Sequence, residues 1–322
     1  MSRGLFLIGA LAAAVFAVPA AVAQGYPERP LRLIVPYAPG GGTDLTSRLI
    51  AQQLTNGFKR QVIVDNRAGG AGNIGAEIAA RAAPDGYTLL TAGISFAVNV
   101  SMFSKLGYDP LRDFDPVSLV ATVPLIVVVH PSVPARSIRE LIALAKLRPG
   151  TLNYASGGTG TANHIAGELF KYMTGTDIVH VPYKGGGPAL ADVIAGQVQL
   201  LFNTMTSTIG FVGSGKLRAL AVTGTQRSPS VPELPTVAEA GVAGFDVGAW
   251  FGIVAPAGTP RAIVNKLNAE IVRIARTPEA REQFAAQGAE AVGSTPEEFR
   301  RHIAREIEKW ARVAKAAKLR AD

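Results

Sequence analysis

The period of hydrophobic and polar positions changes repeatedly along the chain. Short apolar, β-rich runs alternate with longer stretches in which apolar residues return every third or fourth position, as in strands followed by amphipathic helices. Leu31-Arg32-Leu33-Ile34-Val35 predicts a buried strand, Tyr37 to Asp44 a glycine-rich turn, and Leu45 to about Phe58 a helix. The order returns in Val62-Ile63-Val64, Gly69-Gly70-Ala71-Gly72 and a helix to Ala83. It returns again in Leu152-Asn153-Tyr154, Ser156 to Gly160 and a helix through Lys171. A fourth copy runs through Ile178 to Val181, then Gly185-Gly186-Gly187, then a helix opened by Pro188. Such repetition predicts an α/β fold with largely parallel sheets. Val120 to Val129 and Trp250 to Val254 predict strands that cross between two lobes, and the chain from Pro260 onward is helical with breaks at Pro278 and Pro296.

Composition narrows the function classes. A length of 322 residues has room for two domains of roughly 100–200 residues and a sizeable core. With 48% hydrophobic and 17% charged residues the chain is too apolar to be disordered. The absence of cysteine removes disulfides, thiol nucleophiles, thiolate zinc sites and iron–sulfur clusters. Glycine is in excess, at 35 residues, and the excess gathers at the strand-to-helix turns. Residues 1–23 read as a secretory signal peptide: Arg3, an apolar run from Leu5 to Val18, Pro19, and a small-residue cleavage site at Ala21-Val22-Ala23. The run is too short to span a membrane, which takes roughly 20 residues. No cysteine follows it to carry a lipid, so an exported, freely diffusing, periplasmic protein is expected. Loss of Arg3 would lower the formal charge of +8 by one. Much of that charge lies on the C-terminal helix, where a solvated face explains it better than a nucleic-acid stripe, because few aromatic residues interleave the charges, Trp310 among them.

Glycine-rich turns between strand and helix let a backbone approach a ligand and aim free N–H groups and the positive helix end at an anion. Two motifs mimic nucleotide sites. Gly70-Ala71-Gly72-Asn73-Ile74-Gly75 fits G-x-G-x-x-G, but the next strand, Tyr87 to Gly93, offers no acidic residue for a ribose, so tight helix–strand packing is the expected role. Gly210 to Leu217 resembles a phosphate loop, yet Leu217 replaces the required hydroxyl and the motif precedes a strand. The turns Tyr37–Asp44 and Ser156–Thr161 remain, carrying hydroxyls and falling in opposite lobes. Facing one another, they would offer a carboxylate backbone donors from both sides. Four charge-assisted bonds at roughly 1.5–3 kcal/mol each, less ordering and desolvation, suit affinity of about a micromolar Kd. The other reading, ordinary turns with Thr43 or Asp44 as a helix N-cap, stays open on the residues alone. A hydrolase would need Ser156 or Thr161 beside His164 and an orienting carboxylate. No G-x-S-x-G elbow supports one, and the four histidines form no ligand-spaced cluster, so neither catalysis, a metal nor a cofactor is expected.

A set of stretches then carries a resemblance. Ile34 to Asp44, Gly72 to Glu77, Pro84 to Leu90, Asn153 to Gly160, His164 with Ala166 to Phe170, Val181 to Gly186, Leu234 to Gly241, Trp250 to Gly252 and Ala255 to Pro260 follow in order. Together they resemble the Bug family, the TctC-like extracytoplasmic solute receptors of tripartite tricarboxylate transporters. The resemblance implies a monomeric periplasmic binding protein that captures a small organic carboxylate and hands it to membrane components of such a transporter. It implies two α/β lobes joined by crossing strands around a cleft, which the residue pattern divides as 24–122, 123–249 and a return from 250 to 322. By position it places Tyr37, Ala38, Gly41, Gly42 and Asp44 of the first turn at the ligand, partly through water. Ser156, Gly158, Thr159 and Thr161 follow from the second turn, with Tyr183 and Asn203 on the distal side. Asp44, ionised, would face water or a distal donor group, and His164 would be structural. A receptor that feeds a sensor protein is the alternative outside catalysis.

Overall fold

The computed structural model describes residues 25–316, 319 and 320; the predicted signal peptide lies outside the described residues. In the first lobe β1 (Leu31–Val35) runs parallel to β2 (Val62–Asn66) and β3 (Thr88–Gly93) on its two sides. In the second lobe β5 (Asn153–Ser156) is likewise parallel to β6 (Val179–Pro182) and β7 (Leu200–Thr204). The two sheets are joined by β4 (Phe114–Val129), a single strand of 16 residues. Its Phe114–Pro124 portion pairs antiparallel with β9 (Gly248–Pro256), which in turn pairs with β3. Its Leu125–Val129 portion pairs with β7, while Ile126–Val129 pairs with β8 (Arg218–Val222). A two-residue β10 (Glu290–Ala291) adds to β4 near the crossing.

At the crossing Thr223 is fully buried and clasps both strands. Its hydroxyl donates to Val247 O at 2.6 Å, and Leu125 N–H donates to Thr223 Oγ1 at 2.9 Å. β4 is continuously apolar in its second half, Leu125 to Val129 being completely buried, because both faces of a central strand in an α/β layer are covered.

The helices follow the predicted order with shifted ends. In the first lobe they are α1 (Gly42–Phe58), α2 (Asn73–Ala80) and α3 (Ile94–Met102). The second lobe contains α4 (Ile138–Leu147), α5 (Ala162–Thr174), α6 (Gly186–Ile194) and α7 (Met205–Gly213). The C-terminal region holds α8 (Arg261–Arg276), α9 (Pro278–Ala286) and α10 (Pro296–Ala316). α2 stops at Ala80 rather than Ala83, because Pro84 disfavours helical backbone before it. α6 begins at Gly186, which puts Pro188 in the first turn, where its missing N–H leaves no helical bond unmade. Gly75 has the packing role expected of it: a Cβ there would lie 2.9 Å from Pro36 Cα. The phosphate-loop mimic at Gly210–Leu217 closes α7 and precedes β8, so carbonyls, not N–H groups, face outward there.

α10 packs on α3 and β4 and buries Phe299, Ile303 and Trp310, while Arg301, Arg305 and Arg312 face solvent. Phe299 lies against Gly252 of β9 where any side chain would collide with the ring. Trp250 of β9 and Trp310 of α10 both donate their indole N–H to Glu306 Oε2, at 3.0 and 2.9 Å. Among the described residues no helix is long and apolar enough to cross a membrane.

Candidate functional site

Helix starts, not side-chain charges, build the cleft between the lobes. Its wall contains Gly42 and Thr43 of α1, Ile94 and Ser95 of α3, Ala162 and Asn163 of α5, Gly186 of α6, and Thr204, the N-cap of α7. Tyr37, Gly41, Gly93, Gly157, Thr161 and Asn203 fill the spaces between, and Ala249, Trp250 and Phe251 of the crossing strand close one side. The wall has no Asp, Glu, Lys, Arg or His. The first N–H groups of a helix lack intrahelical partners and carry the positive end of its dipole. Five such ends aimed at one space make an electropositive cleft without a single cation.

Local sequence explains why the helices begin there. Gly41 is the N-cap of α1 at φ −84°, ψ 168°, with no side-chain cap. Asp44, the third helical residue, reaches back instead: Gly40 N–H donates to its Oδ2 at 3.0 Å, Arg48 Nε at 3.0 Å, and Asn66 Nδ2 to its Oδ1 at 2.9 Å. Burial pushes the Asp44 carboxyl up, but these three donors outweigh it and hold the pKa below its ordinary value. Asp44 is therefore 2% exposed, fully engaged, and outside the cleft wall. Neither Thr43 nor Asp44 is the N-cap.

Tyr37 presents its ring to the cleft while its hydroxyl donates to Ser95 Oγ at 2.6 Å. Burial pushes the phenol up to about 12, so it stays protonated, and Ser95, having accepted, keeps its own proton to give. In the second lobe Thr161 donates to Gly158 O at 2.7 Å and caps α5 by backbone only. Gly158, at φ +119°, holds a left-handed turn that suits glycine. Asn163 Nδ2 donates to Phe202 O and to Asn203 Oδ1, and Asn203 Nδ2 donates to Ser207 and Thr208 at the start of α7. Thr208 already gives its proton to Thr204 O, which fixes the amide orientation of Asn203.

The structure brings Tyr37, Gly41, Gly42, Thr161 and Asn203 of the sequence-derived residues together at the cleft. The others stand elsewhere. Ala38 N–H donates across the lobes to Lys184 O at 3.1 Å. Ser156 Oγ is fully buried, 2.6 Å from His180 Nε2, and accepts from Gly158 N–H at 3.0 Å. The hydroxyl thus pairs with His180 rather than His164, sealed from any substrate. Tyr183 donates to Asp192 Oδ2 at 2.6 Å, and neither it nor Gly158 nor Thr159 is part of the wall. The glycine turns also touch one another directly. The Tyr37–Asp44 turn meets the fourth glycine turn, where a Cβ on Gly41 would lie 3.2 Å from Gly186 N. The Ser156–Gly160 turn meets the same Gly185–Gly186 backbone through Gly157, and lies against Ala71 and Asn99 through Gly158 and Gly160. Sequence reasoning missed Gly93–Ser95, which follow a strand with one glycine only, and Thr204, which has none. Trp250 and Phe251 were read as hinge and not as wall.

Comparison with known proteins agrees with this architecture. The sequence profile of the tripartite tricarboxylate transporter family receptor, TctC, matches residues 46–319. Protein BugT of Bordetella pertussis is 41% identical over 318 residues, covering 98% of this chain and 97% of that protein. The structure of R. palustris Rpa4515 with adipate superposes at a TM-score of 0.90, with 38% identity over 92% of this chain and 99% of that one. The periplasmic binding protein BugD gives a TM-score of 0.89 at 35% identity, covering 92% of this chain and 99% of its own. The family is one of receptors and not of enzymes, and the periplasmic binding protein fold holds throughout. With helix N-termini meeting between two α/β lobes and a family match over most of its length, this chain belongs to the TctC, or Bug, family of tripartite tricarboxylate transporter receptors.

Proposed function

We propose that this protein is a periplasmic receptor that captures a small aliphatic mono- or dicarboxylate and delivers it to the membrane components of a tripartite tricarboxylate transporter. The observation that carries the reading is the cleft wall itself: five helix N-terminal ends and no charged side chain. An anion gains from such a site, a cation is repelled, and nothing acidic is present to hold an ammonium group. An adipate-bound relative of 38% identity supports the same class of ligand. One carboxylate binds the N–H groups of Gly42 and Thr43 together with those of Ala162 and Asn163, directly or through water. Ser95, Thr161 and Asn203 contact the rest of the ligand, and the remaining turn residues (Ala38, Asp44, Ser156, Gly158, Thr159, Tyr183) shape the wall from behind.

The lobes divide at residues 24–122, 123–249 and 250–322, residues 1–23 export the chain and are removed, and the mature protein acts as a freely diffusing monomer. Binding draws the lobes together, and the closed face docks on the transporter. Titration calorimetry with a panel of short mono- and dicarboxylates tests the reading. Micromolar binding of at least one acid without its consumption is expected. Failure of every carboxylate to bind, or binding of amines or sugars instead, would overturn it.

A further inference from the structure

His164 and His180 are absent from the cleft wall, yet they hold the loop that forms part of it. His164 is the third residue of α5, and its Nδ1 accepts a 3.1 Å hydrogen bond from Gly160 N–H. A backbone N–H only donates, so Nδ1 is bare and the neutral ring carries its proton on Nε2. Behind the same loop, Ser156 Oγ accepts from Gly158 N–H and lies 2.6 Å from His180 Nε2. Ser156 is wholly buried, and a buried hydroxyl gives its proton to an acceptor. His180 Nε2 is that acceptor, so His180 carries its own proton on Nδ1. The two rings sit 4.4 Å apart. Burial, chiefly, lowers each histidine to about 4, which leaves both uncharged at neutral pH.

The equivalent position of α1 holds a carboxylate. Asp44 is the third residue there and reaches back to Gly40 N–H as His164 reaches to Gly160 N–H. Its charge is matched by Arg48 at 3.0 Å. Around His164 the facing charges are Glu168 and Lys171, which already pair with each other at 3.1 Å. A carboxylate at position 164 would brace the loop equally well, but its charge would stand unmatched directly behind the donors of Ala162 and Asn163.

The geometry points to His164 and His180 as positioning residues: two uncharged acceptors of opposite tautomer that brace the second-lobe loop without adding negative charge to the cleft. The anion side of the argument rests on the carboxylate reading above; the tautomer assignment does not. Nitrogen-15 NMR of histidine-labelled, ligand-free protein at pH 7 is expected to show His164 as the Nε2–H form and His180 as the Nδ1–H form. Either ring protonated, or in the other tautomer, overturns the proposal.

The binding arm compares H164Q with H164E, since both side chains brace a first helical turn from this position. H164Q is expected to bind the carboxylate within about threefold of wild type, and H164E at least about tenfold more weakly. H164E should unfold at a lower temperature than H164Q, because its carboxylate is buried without a matching cation, so the two affinities are compared at a temperature where both variants are folded. Equal affinity of the two variants overturns the proposal. Should the wild type bind no carboxylate, the ligand reading fails by itself, and the NMR result still decides the role of the pair.

Discussion

Gly41 and Gly186 meet backbone to backbone across the cleft, and a Cβ on Gly41 would crowd Gly186 N at 3.2 Å. Gly41 sits at φ −84°, ψ 168°, a conformation any residue adopts. Gly41→Val should therefore fold without backbone strain, with a modest fall in the ligand-free unfolding midpoint from the poorer N-cap and the lost Gly186 contact. It should nonetheless weaken carboxylate binding by at least about tenfold, because the lobes cannot close over the ligand. Calorimetry and thermal unfolding run side by side check both halves. Asp44 gives the opposite separation. Asp44→Ala removes the buried carboxylate that ties Gly40 N–H, Asn66 and Arg48 together and should cost about 1–3 kcal/mol of stability in denaturant titrations. At this scale the glycine turns were legible as sites of close backbone approach, because excess glycine at strand-to-helix junctions has few other uses. Which turn faces which was not, since that depends on the relative placement of the lobes.

Strands and helices were the most legible feature, because period two and period 3.6 survive in the residue pattern whatever the tertiary setting. Their ends were less so: α1 begins at Gly42 rather than Leu45, with Asp44 holding Gly40 N–H at its first turn, although glycine is a poor helix former. α3 contributes a helix start to the cleft, yet its single preceding glycine gave little warning. The second-lobe loop also has a pH signature. Folded His164 and His180 have pKa values of about 4, against 6.5 for the free side chain. Between these values the unfolded chain binds protons that the folded chain refuses, so stability falls as pH drops from 6.5 toward 4. The penalty is complete below about 4, at about 3 kcal/mol for the buried His164. Urea unfolding at pH 7 and pH 4.5 should show a smaller acid loss in H164Q than in wild type. At the crossing, Thr223→Val replaces a hydroxyl that both donates and accepts with a methyl group. A loss of about 1–3 kcal/mol in denaturant unfolding is expected.

Across the whole molecule, two sheets share one strand, so opening and closing must strain β4 and β9 instead of swinging a flexible linker. The crossing was visible in the sequence as two long apolar runs, whereas the cleft's electropositive character was not. It arises from five helix starts meeting at one wall, and a one-dimensional pattern does not show which helix starts meet. Ligand at a hundredfold over its Kd should raise stability by about 2.7 kcal/mol, read as a concentration-dependent unfolding midpoint. The shared carboxylate of Glu306 gives that closure an optical readout. The chain's two tryptophans, Trp250 in the cleft wall and Trp310 on the C-terminal helix, are tied to the same acceptor. All indole emission thus comes from one spot bordering the cleft wall, so binding of the proposed carboxylate should be followed by stopped-flow fluorescence without any attached dye.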